Sequence, residues 1–98
     1  MKSSAEIIKD LLCNYRFYKM QTKNGLGGPL LSERLDFLEN SISALCAEDN
    51  ILLRQVYLEG LAVVKVAKSC RCARRSVYYR CARIVEKIAK VFEAGQKT

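Results

Sequence analysis

A chain of 98 residues has room for one small hydrophobic core, or a compact domain with a helical extension. It lacks histidine, a glycine-rich phosphate loop ending in Lys-Ser or Lys-Thr, and paired acids in a suitable cleft, which argues against an enzyme. The net charge of +7 is uneven: residues 1 to 50 carry six basic and seven acidic side chains, and residues 51 to 98 carry eleven and three. The second half therefore predicts a polyanionic partner.

No segment at the N-terminus combines basic residues, an apolar run and a cleavage site, and no run has the length of a membrane span. We expect a cytoplasmic protein that does not bind membranes. The five cysteines, an odd number, are typical of free thiols in a reducing compartment.

Long uninterrupted segments, with one proline and five glycines, predict an all-α fold. The first helix is expected from Ser4 to about Gln21, with Ser3 or Ser4 as N-cap. Its apolar stripe comprises Ile8, Leu11, Leu12, Tyr15 and Tyr18. The glycines and proline of residues 23–29 then break the chain, so that the first two helices can form an antiparallel αα-hairpin.

The second helix, from Leu30 or Leu31, has apolar residues that alternate at four and three positions, the spacing of a coiled-coil seam. These residues are Leu31, Leu35, Leu38, Ile42 and Leu45. The seam has two interpretations: it packs within the chain, or it forms a homodimer interface. Spacing alone does not separate them.

Three further helices are predicted. The first spans residues 51–59, with Asp49 or Asn50 as cap and Gly60 as stop. The second spans about 62–69, and the last about 73–93, with residues 95–98 frayed. The last turns, which contain Ile88, Val91 and Phe92, are expected to pack on the hairpin.

The last two helices have the pattern of a helix-turn-helix. Their apolar faces comprise Val63, Val66, Ala67 and Cys70 on one helix, and Val77, Cys81, Ile84, Val85 and Ile88 on the other. Two such faces joined by about three residues bury each other only if the helices cross steeply, and the small Ala67 suits the crossing point. We therefore divide the chain into an N-terminal hairpin, residues 1–47, and a helix-turn-helix domain, residues 48–98.

This segment resembles the helix-turn-helix of sigma-factor region four, and more closely the sigma-like module of ArpU-type phage and mobile-element transcriptional regulators. The matching residues are Leu53 to Leu61, Val66-Ala67, Arg75 to Tyr78, Ala82 and Glu86-Lys87-Ile88. The resemblance implies a three-helix domain that binds double-stranded DNA in a sequence-specific way and regulates transcription. It also implies RNA polymerase as a second partner, which gives an alternative: a polymerase-docking accessory protein with weak DNA binding of its own.

The base-contacting positions of that family fall on Arg74, Arg75, Tyr78 and Tyr79. Arginine can donate two hydrogen bonds to guanine in the major groove, and tyrosine can contact a thymine methyl or a phosphate. Tyr79 has the alternative of covering the edge of the core. The cations expected on phosphates are Lys65, Lys68, Arg71, Arg80 and Arg83.

Three residues depart from the family pattern. Arg71 stands where a glycine usually makes the turn, and a non-glycine residue in the left-handed conformation costs about 1 kcal/mol. Ala62 and Ala73 stand where Ser or Thr usually caps a helix, and each lost cap costs about 0.5 to 2 kcal/mol.

The cysteines allow one more hypothesis. Cys70, Cys72 and Cys81 could form a zinc site or a redox switch, but a structural zinc usually has four ligands at wider spacing. Cys70 and Cys81 also occupy positions predicted to lie in the core, where free cysteine acts as a small hydrophobic residue. We therefore predict no metal and no cofactor.

Overall fold

The computed structural model describes residues 2 to 96, and this part of the chain is all-helical. The elements are α1 (Ser4–Cys13), α2 (Tyr15–Lys23), α3 (Gly28–Ser43), α4 (Ala47–Leu53), a π-helical turn (Arg54–Leu58), α5 (Val63–Cys70) and α6 (Arg74–Gln96). None of the helices in the described range combines the length and the apolar run that a membrane crossing needs.

The predicted first helix is two helices, because the chain bends at Asn14. Ser3 is the N-cap of α1, as predicted, and its hydroxyl accepts the backbone N–H of Glu6. The Asn14 side-chain amide donates to the backbone carbonyl of Asp10 at 3.1 Å and to its carboxylate at 2.9 Å. A side chain that binds the backbone in this way competes with regular helix hydrogen bonds. The Tyr18 hydroxyl also donates to the Asp10 carboxylate, at 2.8 Å, and so ties α2 to α1 across the bend.

The glycine-rich loop returns the chain so that α2 lies beside α3. Gly27, the residue before α3, has φ 87°, and a Cβ at this position would collide with the Leu31 side chain. Only glycine fits there without strain. Lys19 then forms an ion pair with Glu39 on α3, with 2.6 Å between Nζ and Oε1. The Tyr15 hydroxyl donates to the same carboxylate oxygen at 3.1 Å, so one acid on α3 joins two residues of α2.

The leucine seam of α3 packs within the chain. Leu35, Leu38 and Ile42 are at most 1% exposed, and Leu31 and Leu45 pack at the edge of the same core. The homodimer interpretation of this seam is therefore wrong, because the central residues of the seam are buried within the chain and cannot contact a second copy.

The third predicted helix begins earlier and ends differently. Helix α4 starts at Ala47, so Asp49 and Asn50 lie inside it and neither is its cap. The Asn50 side-chain amide donates instead to the Ile42 carbonyl at 3.0 Å, near the C-terminal end of α3. Beyond α4 the chain widens into the π-helical turn, where the Glu59 N–H donates to the Arg54 carbonyl at 2.7 Å. Gly60 ends this segment with φ 67°, as predicted.

One core draws on both of the predicted segments, 1–47 and 48–98. Its buried residues in the first are Ile8, Leu11, Leu12, Leu35, Leu38 and Ile42. Those in the second are Leu52, Leu53, Val66, Ala67, Val77, Cys81, Ile84, Val85, Ile88, Ala89 and Phe92. The predicted domain boundary between residues 47 and 48 therefore separates two segments that share one hydrophobic core.

The C-terminal part of α6 packs on the N-terminal helices. Ile88 and Phe92 are buried as predicted, and the ring centroids of Phe92 and Phe37 on α3 are 5.3 Å apart. Val91 is 60% exposed, so its predicted packing is wrong, and Ala89 takes that role on the buried face. The helix continues to Gln96, beyond the predicted end, so Gly95 is helical. Residues 97 and 98, predicted to be frayed, lie outside the described residues.

Candidate nucleic-acid interface

A three-residue turn joins α5 to α6. The Cys72 N–H donates to the Ala67 carbonyl at 3.0 Å and the Arg71 N–H to the Lys68 carbonyl at 3.2 Å, the two hydrogen bonds of a Schellman motif. Arg71 has φ 55° and ψ 44°, the left-handed conformation predicted for this position. It is the only non-glycine residue with positive φ among the described residues. The turn is therefore well bonded but strained at one arginine.

The apolar faces of α5 and α6 meet behind this turn. Val66 and Ala67 are buried on α5, and Val77 and Cys81 are buried on α6 in the same cluster. Ala62 precedes α5 without a side-chain capping bond, as expected for alanine. Ala73 precedes α6, and its carbonyl accepts the Val77 N–H at 3.3 Å. Packing against the core therefore holds α5 in place even though Ala62, the residue before it, offers no side-chain cap.

The four predicted base-contacting residues are exposed at the start of α6. Arg74 and Arg75 are exposed, Tyr78 is 59% exposed and Tyr79 is 61% exposed. The alternative that Tyr79 covers the edge of the core is therefore wrong. Because they occupy the first two turns of α6, all four side chains project from the end of the helix that follows the turn.

Arg83 lies one helical turn after Tyr79 and contacts its ring and hydroxyl. The Arg83 guanidinium carbon is 5.8 Å from the ring centroid, and Nη1 donates to the Tyr79 hydroxyl at 3.4 Å. Residues four apart on a helix are neighbours, and arginine over a tyrosine face is a favourable cation–π arrangement. This pairing reduces the number of orientations open to Tyr79 before any ligand binds.

Three further cations lie on α5 and at the turn that follows it. Lys65 and Lys68 are exposed on α5, and Arg71 is exposed at the turn itself. The Lys and Arg residues from Lys65 to Arg75 have no acid between them in sequence. We call the surface formed by Lys65, Lys68, Arg71, Arg74, Arg75, Tyr78, Tyr79 and Arg83 the cationic face.

Arg80 does not belong to the cationic face. Its Nη2 lies 3.6 Å from a Glu48 carboxylate oxygen and 3.9 Å from an Asp49 carboxylate oxygen, both on α4. Two acids thus offset its charge, and the phosphate contact predicted for Arg80 is not carried forward. The sequence did not indicate this pairing, because the acids come from a helix distant in the chain.

The five cysteines differ in exposure: Cys13, Cys46 and Cys70 are exposed, Cys72 is half-buried and Cys81 is buried. Cys70 is exposed, so the prediction that it lies in the core is wrong, whereas Cys81 is buried as predicted. Burial raises the pKa of the Cys81 thiol to about 11. Within the described part of the chain, no three His, Cys, Asp or Glu side chains form a group that could hold a metal ion.

Comparisons with known proteins add no family assignment. No protein-family model, curated protein or solved structure matches the chain.

Proposed function

We propose that this protein binds double-stranded DNA in a sequence-specific way through a helix-turn-helix formed by α5 and α6. One observation carries the proposal: the start of α6 presents two arginines and two tyrosines to solvent. Every charged side chain in the segment from Lys65 to Arg75 is positive. Tyr78 and Tyr79 are 59% and 61% exposed instead of buried in the core, and this exposure favours a role in contacting a partner.

The chemistry of each side chain suits one part of a duplex. The N-terminal residues of a recognition helix contact base edges in the major groove. Arg74 or Arg75 can donate bidentate hydrogen bonds to guanine, and Tyr79, held by Arg83, can present its ring edge to a thymine methyl. Lys65, Lys68 and Arg71 are suited to phosphates, which fix the register without determining the sequence.

Regulation of transcription is the biological role that we infer. It rests on the resemblance to sigma-factor region four and to ArpU-type regulators, which extends over little more than a third of the chain. The described residues share one core, and a small domain with a DNA-binding surface suits a regulator of a phage or mobile element.

Selection of bound duplexes from a random pool tests the proposal. An enriched sequence is expected, and Arg75→Ala should cost about 1 to 3 kcal/mol on that sequence but less on random duplex. Lys65→Ala should weaken binding to both duplexes alike. Lys90→Ala is a matched control, since it removes a cation from the same helix but several helical turns beyond Arg75. Equal losses on both duplexes for Arg75→Ala and Arg74→Ala would contradict base recognition.

A polymerase-docking accessory protein is the second candidate. Apolar side chains on α2, the glycine loop and the start of α3 support it: Phe17, Met20, Leu26 and Leu30 are each more than half exposed and lie outside the cationic face. Exposed apolar residues of this kind suit a protein partner. In that case duplex binding should be weak until polymerase is added, and Phe17→Ser should reduce the enhancement without changing binding in the absence of polymerase.

A further inference from the structure

Arg16 has no acid or aromatic partner among the described residues, unlike Lys19 and Arg34 of the same N-terminal half. Lys19 is paired with Glu39, and the Arg34 guanidinium lies 5.9 Å from the centroid of the Phe92 ring. Arg16, in the first turn of α2, is exposed and forms no ion pair with another residue of the range 2 to 96. Its charge is therefore available to a ligand.

The fold brings Arg16 to the start of α5. Its Nη1 lies 3.7 Å from the point where a Cβ on Gly60 would stand, and Gly60 comes three residues before α5 begins at Val63. The bend at Asn14 and the π-helical turn both border this place. A cleft of about 450 Å³ lies here. Its lining residues are Leu12, Cys13, Asn14, Arg16, Phe17, Val56, Tyr57 and Gly60. Glu59 is next to Gly60 but forms no ion pair with Arg16 within the described residues.

We propose that Arg16 is a further phosphate contact, so that the DNA-binding surface extends beyond the helix-turn-helix onto α2. The proposal rests on the proposed DNA binding. In a helix-turn-helix the first helix crosses the DNA backbone, so a cation beside the start of α5 is near the strand. Helix α5 has eight residues and is about 12 Å long, whereas one strand carries a phosphate about every 3.4 Å of helix axis. Arg16 and Arg71, at opposite ends of α5, can therefore bind different phosphates.

The salt dependence of duplex affinity tests this contact. Each phosphate contact contributes about 0.9 to the slope of log affinity against log salt, so Arg16→Ala should have a slope less steep by about 0.9. The ratio of wild-type to variant affinity should accordingly fall about 3.5-fold between 50 and 200 mM salt. Arg16→Lys should keep most of the slope. Lys23→Ala is the control: Lys23 is exposed on the same helix, about 10 Å along its axis from Arg16, and its loss should leave the slope unchanged.

The outcomes separate the two proposals. If Arg75→Ala weakens binding to the selected duplex while Arg16→Ala has the wild-type slope, DNA binding stands and the Arg16 contact is refuted. If the wild-type protein binds no duplex, both proposals fail. A thermal melt of Arg16→Ala identifies a folding defect. Arg16→Gln, which removes the charge but keeps a polar side chain, should then have a slope less steep by about 0.9, and a wild-type slope would refute the contact.

Discussion

Replacing Arg71 by glycine should make the protein more stable and a weaker DNA binder at the same time. Arg71 has φ 55° and ψ 44°, and its side chain is exposed. The left-handed conformation costs an L-residue about 1 to 2 kcal/mol, because Cβ approaches the following carbonyl oxygen. Glycine has no Cβ and avoids this cost, but it increases the conformational entropy of the unfolded chain, which offsets about 0.4 to 1 kcal/mol. Near the midpoints of these two ranges, the net gain in the free energy of unfolding is about 0.5 to 1 kcal/mol.

Thermal unfolding followed by circular dichroism measures this gain. A change of 1 kcal/mol shifts the Tm of a domain this size by about 4 to 8 °C, so Arg71→Gly should melt roughly 2 to 8 °C higher. Arg71→Ala is the matched variant, since it also removes the cation but keeps a Cβ and therefore keeps the strain. If Arg71→Gly is no more stable than Arg71→Ala, the account of a strained turn is refuted.

Duplex binding by the same two variants measures the function of the side chain. Both lose one cation of the cationic face, so both should show a salt slope less steep by about 0.9 than that of the wild type. Wild-type salt dependence in Arg71→Ala would mean that Arg71 does not contact a phosphate.

Three more predictions concern the core, the α4–α6 contact and pH. Ile42→Ala should lower the free energy of unfolding by about 2 to 5 kcal/mol in a urea titration, because Ile42 is 0% exposed; a loss below 1 kcal/mol would contradict its burial. Arg80→Ala should cost less than about 1 kcal/mol of stability and change the salt slope of DNA binding less than Arg83→Ala does, because Glu48 and Asp49 occupy its guanidinium. Stability should fall by about 1 to 3 kcal/mol as pH rises from about 9 to about 11, since the buried Cys81 thiol ionises first in the unfolded chain. Cys81→Ala should show a smaller decline over this pH range in chemical unfolding, and an equal decline would refute the assignment.

Periodicity predicted the all-helical class and most of the buried face, because apolar spacing on a helix depends only on local geometry. It placed Leu35, Leu38 and Ile42 on one stripe, and all are buried. It did not predict the bend at Asn14 or the π-helical turn, since both involve hydrogen bonds of particular residues that apolar spacing does not indicate. It also placed Cys70 in the core, although this residue ends α5 and its side chain is exposed.

The amino-acid sequence alone determined the charge asymmetry and the helical spacing, because these follow from composition and periodicity. The left-handed conformation of Arg71, with φ 55°, was expected from the resemblance to a family in which a glycine usually makes this turn. Tertiary packing decided which cations are free. Arg80 lies against Glu48 and Asp49 of α4, whereas Arg16 lies beside Gly60, and both placements depend on how distant helices meet around the core. Electrostatic pairing acts over a few ångströms in space, and residues far apart in the chain acquire that proximity only when the core forms.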